Sequence, residues 1–173
     1  MTSPEPKHEP TPTTTTSSRA AEPISPTRPS NTADGALFDA IATAQASIYG
    51  YGIVSAHSVP DTNYLVSSSM AAHRKRREEA LAMLAARSVD APLPAAGYQL
   101  PIEVDNPTDA ANLAVRMEED GAVAWRAVVE QAVDEQERAF AVSALTDCAV
   151  RAARWSRVLG TTPITVAFPG GSE

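Results

Sequence analysis

Val89-Asp90-Ala91-Pro92-Leu93-Pro94-Ala95-Ala96-Gly97-Tyr98-Gln99-Leu100-Pro101-Ile102-Glu103-Val104-Asp105-Asn106 interrupts the helical periodicity of the chain's interior, and its length decides how the flanking helices connect. Pro92, Pro94 and Pro101, with Gly97 between them and Pro107 just after, exclude a helix here. Eighteen residues are too many for a hairpin, and loops this long in a compact domain usually have a job. Extended, they reach at most about 60 Å, whereas a 25-residue helix is about 38 Å long. The segment can therefore run from one end of a helix pair to the other.

Working outward, the residues before it form a helix from about Asn63 to Ser88. Its inner stripe is Val66, Ser69, Met70, His73, Arg77, Ala80 and Leu84. With His73 at zero and 100° per residue, Arg77 falls about 40° away, so a histidine and an arginine share the core-facing side. Val59-Pro60-Asp61-Thr62 is a turn that separates this helix from an earlier one. That earlier helix spans about Asp34 to Ser58, with Asp34 as N-cap and Asn31 or Thr32 as alternatives. Leu37, Ile41, Ala44, Ile48, Gly52 and Ser55 form its stripe, with Gln45 and Tyr51 at the edges. Gly50 and Gly52 each cost about 1 kcal/mol in a helix interior, so a close neighbour or a break is expected there. After the long connection, Asn106-Pro107 opens a third helix to about Gln131, with Ala110, Leu113, Met117, Gly121, Trp125 and Val128 facing in and Glu118 at the edge. Asp134 caps a fourth helix, which Gly160 stops after Leu159. Its stripe is Ala141, Ala144, Leu145, Cys148, Ala152, Trp155 and Leu159, flanked by Asp147 and Arg151. The apolar tail Pro163–Pro169 is expected to lie extended against the helices.

Short, long, short connections predict an all-α, antiparallel four-helix bundle with one long crossover between helices 2 and 3, the ferritin-like connectivity. Residues 34–169 form this bundle, after a Pro/Thr/Ser-rich arm (residues 1–33) expected to be disordered and before a short tail (170–173). A net charge of −7 gives no electrostatic support to nucleic-acid binding. One cysteine, Cys148, excludes an internal disulfide framework, and no apolar run is long enough for a membrane span. Without a signal-like N-terminus, the expected compartment is the cytoplasm.

Ile48-Tyr49-Gly50-Tyr51-Gly52, His73-Arg74-Lys75-Arg76-Arg77, Ala152-Ala153-Arg154-Trp155 and Thr165-Val166-Ala167-Phe168-Pro169 resemble an alanine-rich, ferritin-like family of actinobacteria, of mycobacterial type. The resemblance covers residues 34 to 169. It implies a fold but no activity, because the family is a domain of unknown function.

A ferritin-like di-iron site needs a Glu from each of two helices and a Glu-x-x-His from each of the others. Helix 1 offers only Gln45. His73 has Met70 three residues before it, Glu118 fits, and Asp147 is followed by Val150 and Arg151. Neither a metal nor another cofactor is therefore expected, and no catalytic residues are assigned. Instead His73, Arg77, Glu118, Asp147, Arg151 and Gln45 are expected to form a polar core network, the remnant of a metal site, with Arg77 holding Glu118 or Asp147. The expected function is association, as a homodimer or another structural or binding module. The alternatives are a metal-binding or redox protein and a small-molecule binder with a pocket near Tyr49, Tyr51 and Trp125.

Overall fold

The computed structural model describes residues 25–171. Among these there are four α-helices, α1 (Thr32–His57), α2 (Asn63–Ala86), α3 (Pro107–Gln131) and α4 (Glu135–Leu159), with a 3-10 turn at Pro60–Thr62 and no strand. Residues 1–24 of the expected disordered arm and residues 172–173 of the tail lie outside the described part.

The helix ends follow from local chemistry. Asn31 caps α1, its side-chain oxygen accepting from the amides of Ala33 and Asp34. Asp34 is thus the third residue of the helix and not its cap. Its carboxylate binds Arg87 at the far end of α2. Asn106 caps α3 by accepting from Thr108 and Asp109, with Pro107 in the first turn, where a missing amide leaves no bond unmade. Asp134 caps α4 through the amide of Glu137. Gly160 ends α4 at φ +69, the left-handed conformation that glycine adopts without strain.

The helix α1 is continuous through Gly50 and Gly52. Gly50 is where a neighbour comes close: a Cβ there would run into the Met117 sulfur of α3, while Gly52 faces open space. The expected stripe of α1 is accordingly right to Ala44 and then slides. Ser47, Gly50, Tyr51 and Val54 are buried, whereas Gly52 and Ser55 are exposed. Half of the 26 residues are buried because α1 packs against both α2 and α3. Two neighbours make a wide apolar face, and a single stripe is a poor description of it.

The helix α3 packs most extensively, against α1 and α4, while α2 and α4 touch sparsely. Two apolar clusters result. One gathers Leu37 and Ile41 of α1, Ala80 and Leu84 of α2, Trp125 and Val128 of α3, and Ala141 and Ala144 of α4. The other gathers Tyr51 and Val54, Leu65 and Val66, Leu113 and Met117, and Trp155. The polar residues lie where these clusters meet. Outside them, Arg87 ties two helix starts together, binding Asp34 and Glu137 at 2.9 Å each. Burial disfavours its charge, but the bonds to Glu137 and Asp34 outweigh that and raise its pKa.

The long connection 87–106 has no regular structure. It is held down by Val104 in the second cluster and by Gln45, whose amide donates to the Pro92 carbonyl at 2.9 Å. The tail lies against α3 as expected, with Gly170 seated close to the Ala122 carbonyl, yet it buries few of its apolar residues. Ile164 is partly covered, but Val166 and Phe168 are exposed.

Candidate functional site: a buried polar layer

The central group is Glu118 on α3, fully buried. The Tyr51 hydroxyl of α1 donates to its Oε1 at 2.7 Å, and the Trp155 indole of α4 donates to the same hydroxyl at 3.1 Å. This chain of donors uses the polar ends of two large side chains whose bodies fill the apolar cluster. Burial raises the Tyr51 pKa well above that of a free phenol, and the neighbouring Glu118 charge adds to it.

His73 on α2 completes the layer. Its Nε2 lies 3.3 Å from Glu118 Oε1. The distance allows an electrostatic contact, but the alignment is poor, and neither ring nitrogen makes a hydrogen bond among the described residues. Glu118 Oε2 and the Ser69 hydroxyl are similarly without partners. The absence of a side chain at Gly121 lets Cys148 and His73 approach α3: a Cβ there would meet Cys148 Sγ at 3.0 Å and the His73 ring at 3.7 Å. Cys148 is buried, and its thiol is pushed up to about 12 by burial, with Glu118 reinforcing the effect. It is the neutral form of a nucleophile, and neutral thiols are unreactive.

One turn along α2 the expectation fails. Arg77 does not enter the core; its guanidinium pairs with adjacent Glu78 and keeps 28 % side-chain exposure. Arg76 is the buried arginine. It donates to Cys148 Sγ at 3.2 Å and to Asp147 Oδ2 at 2.6 Å, and Arg151 approaches the same carboxylate at 3.5 Å. Burial alone would raise the Asp147 pKa, but the bond and charge of Arg76, helped by Arg151, hold it below the usual carboxylate range. Neither position lies on the axis of the stripe. Arg76 is about 60° to one side of His73 and Arg77 about 40° to the other, so periodicity slightly favours the wrong one. What selects Arg76 is the carboxylate of α4 on its side, which a single helix's pattern does not reveal.

The remaining expected site residues are scattered. Gln45 is buried but serves the long connection. Tyr49 is 40 % exposed and packs on Tyr98, their rings 5.4 Å apart. Trp125 lies in the other apolar cluster, edge-on to Phe140. Tyr49, Tyr51 and Trp125 therefore line no common pocket. Ser69, Arg76, Cys148 and Trp155 belong to the layer instead; of these, only the Trp155 indole, which needs an acceptor when buried, carried a signal in its residue type.

The layer does not suit a di-metal centre of carboxylates and histidines. Among the described residues no three His, Cys, Asp or Glu side chains are grouped to hold an ion. Glu118 is engaged by Tyr51, and Asp147 by two arginines. Arg76 adds a fixed cation to the layer.

The family model described as "Domain of unknown function (DUF4439)" matches residues 36–173. In structure the chain is similar to a conserved hypothetical protein of Mycobacterium tuberculosis, solved by crystallography, with 56 % sequence identity and a TM-score of 0.74. The match covers 76 % of this chain and 99 % of that one. No curated protein matches the sequence. The chain belongs to the DUF4439 family.

Proposed function

We propose that this member of the DUF4439 family is a ferritin-like bundle that has lost metal chemistry and works by self-association, as a homodimer. The arrangement is read as antiparallel pairs α1/α2 and α3/α4, joined by residues 87–106 as a long crossover. Support comes from the two apolar clusters, each of which gathers the start of one helix and the end of its sequence neighbour. The bundle proper is taken as residues 34–169, a non-enzymatic module of the cytoplasm. Among the described residues no helix is long and apolar enough to cross a membrane. A net charge of −7 argues against nucleic acid as the partner.

In this reading the layer around Glu118 is structural. The ligand positions of a di-metal site carry Gln45, Met70 and an Asp147 that Arg76 engages. The observation that carries association is on the surface, in a groove whose lining reaches Glu118 of the layer. Val123 of α3, Val150 of α4, and Val166 and Phe168 of the tail are all exposed and line one groove. Grouped exposed apolar side chains of this kind mark interaction surfaces, whereas single ones do not.

Light scattering on the full chain, purified from cells supplied with iron and manganese, tests both parts. Twice the chain mass, with substoichiometric metal by elemental analysis, is the expected result. A strict monomer at high concentration removes the association reading, and an ion bound in stoichiometric amount removes the metal-free one.

A further inference from the structure

The groove has a volume of about 810 Å³ and is walled by α3, α4 and residues 163–171. Its third wall is a strap fixed at both ends. At one end, Gly160 closes α4 in the left-handed conformation. At the other, Gly170 (φ +73) lies so close to α3 that a Cβ would stand 2.5 Å from the Ala122 carbonyl oxygen. Between these points the strap holds Phe168 at the groove with 70 % of its surface exposed and Val166 with 55 %. The patch thus carries both an open apolar recess and a projecting aromatic ring that does not fill it.

The charges at the groove are also of both signs. Glu119 of α3 lines it, as do Arg154 and Arg157 of α4, and all three are exposed. Among the described residues none of the three makes an ion pair within the chain. A surface of one sign would repel its own copy. A surface with a knob, a recess and both signs is what a two-fold interface needs, because there the same patch must be its own complement.

Building on the self-association proposed above, we infer that the groove receives the tail of a second copy. The ring of each Phe168 enters the other protomer's recess, and Glu119 of each protomer faces Arg154 of the other. The partner copy thereby completes a site that one chain leaves open.

Sedimentation equilibrium on the full chain, up to about 1 mM, gives the dimer constant. Phe168→Asp is expected to weaken the dimer about 30-fold or more, the size of a hot-spot loss. Tyr64→Asp, equally exposed but away from the groove, is expected to leave it unchanged. Glu119→Arg and Arg154→Glu are each expected to weaken self-association, and a mixture of the two is expected to form a heterodimer of restored affinity. Thermal unfolding of each variant confirms that it is folded. A wild-type dimer that Phe168→Asp leaves intact overturns the tail exchange while self-association stands. A wild type that stays monomeric overturns both.

Discussion

In the Arg76–Asp147 pair the two partners occupy different solvents. The side chain of Arg76 is 6 % exposed and that of Asp147 53 %. Removing the acid strands a buried cation that keeps only a weak thiol acceptor. Removing the arginine leaves a carboxylate that water and Arg151 can still serve. The costs should therefore be unequal: about 2–3 kcal/mol for Asp147→Ala, discounted for the acid's exposure, and about 1 kcal/mol or less for Arg76→Met, which keeps most of the volume. Urea unfolding of the two variants measures this, and equal losses would show that the pair is solvated on both sides. The same asymmetry explains which residue roles were legible in the sequence. The inward position of His73 and the availability of Glu118 and Asp147 follow from periodicity and residue type. The choice of Arg76 over Arg77 depends on where a second helix places its carboxylate. The union of Tyr51 with Trp155 depends on two side chains 104 residues apart.

At the scale of the elements, helix number and helix ends were readable because their causes are local. Asn106-Pro107, Asp134 and Gly160 act within one turn of themselves. Packing partners are not local, and α1 shows the consequence, since its two glycines look alike in sequence and differ in the fold. Gly52→Ala places a methyl in open space and should stabilise by about 0.5–1 kcal/mol through helix propensity alone. Gly50→Ala gains the same propensity but drives a carbon into the Met117 sulfur; overpacking of about 1–3 kcal/mol should reverse the sign unless Met117 swings away. Thermal unfolding of both variants decides the matter, and two stabilised variants would mean that α1 and α3 are less closely seated. The tail shows the same limit. Its apolar composition places it against the helices, where Gly170 fixes it, but does not reveal the groove that it lines without filling.

At the scale of the whole molecule, the layer between the two apolar clusters sets how stability responds to pH. Cys148 and Tyr51 are acids kept neutral by burial, the first with its pKa pushed up to about 12 and the second also raised. For such groups the folded state holds its proton after the unfolded chain has released it. Their contribution is full below the unfolded pKa and is lost as pH climbs from there through the folded value. Asp147 has the opposite sign: its depressed pKa contributes above the unfolded carboxylate value and is lost on acidification. The bundle should therefore weaken at both extremes for different reasons. On the alkaline side the thiol alone should remove about 2 kcal/mol by about pH 10.5. Cys148→Ala, which has nothing to ionise, should flatten that limb without changing the acid one. Melting temperatures from about pH 4 to about pH 10.5 for wild type and variant separate the contributions. An alkaline limb equally steep in both proteins would move the cause from Cys148 to Tyr51, and Tyr51→Phe would then flatten it. If neither variant altered the slope, the layer at Glu118 would be open to solvent, and the buried, metal-free network would lose its basis.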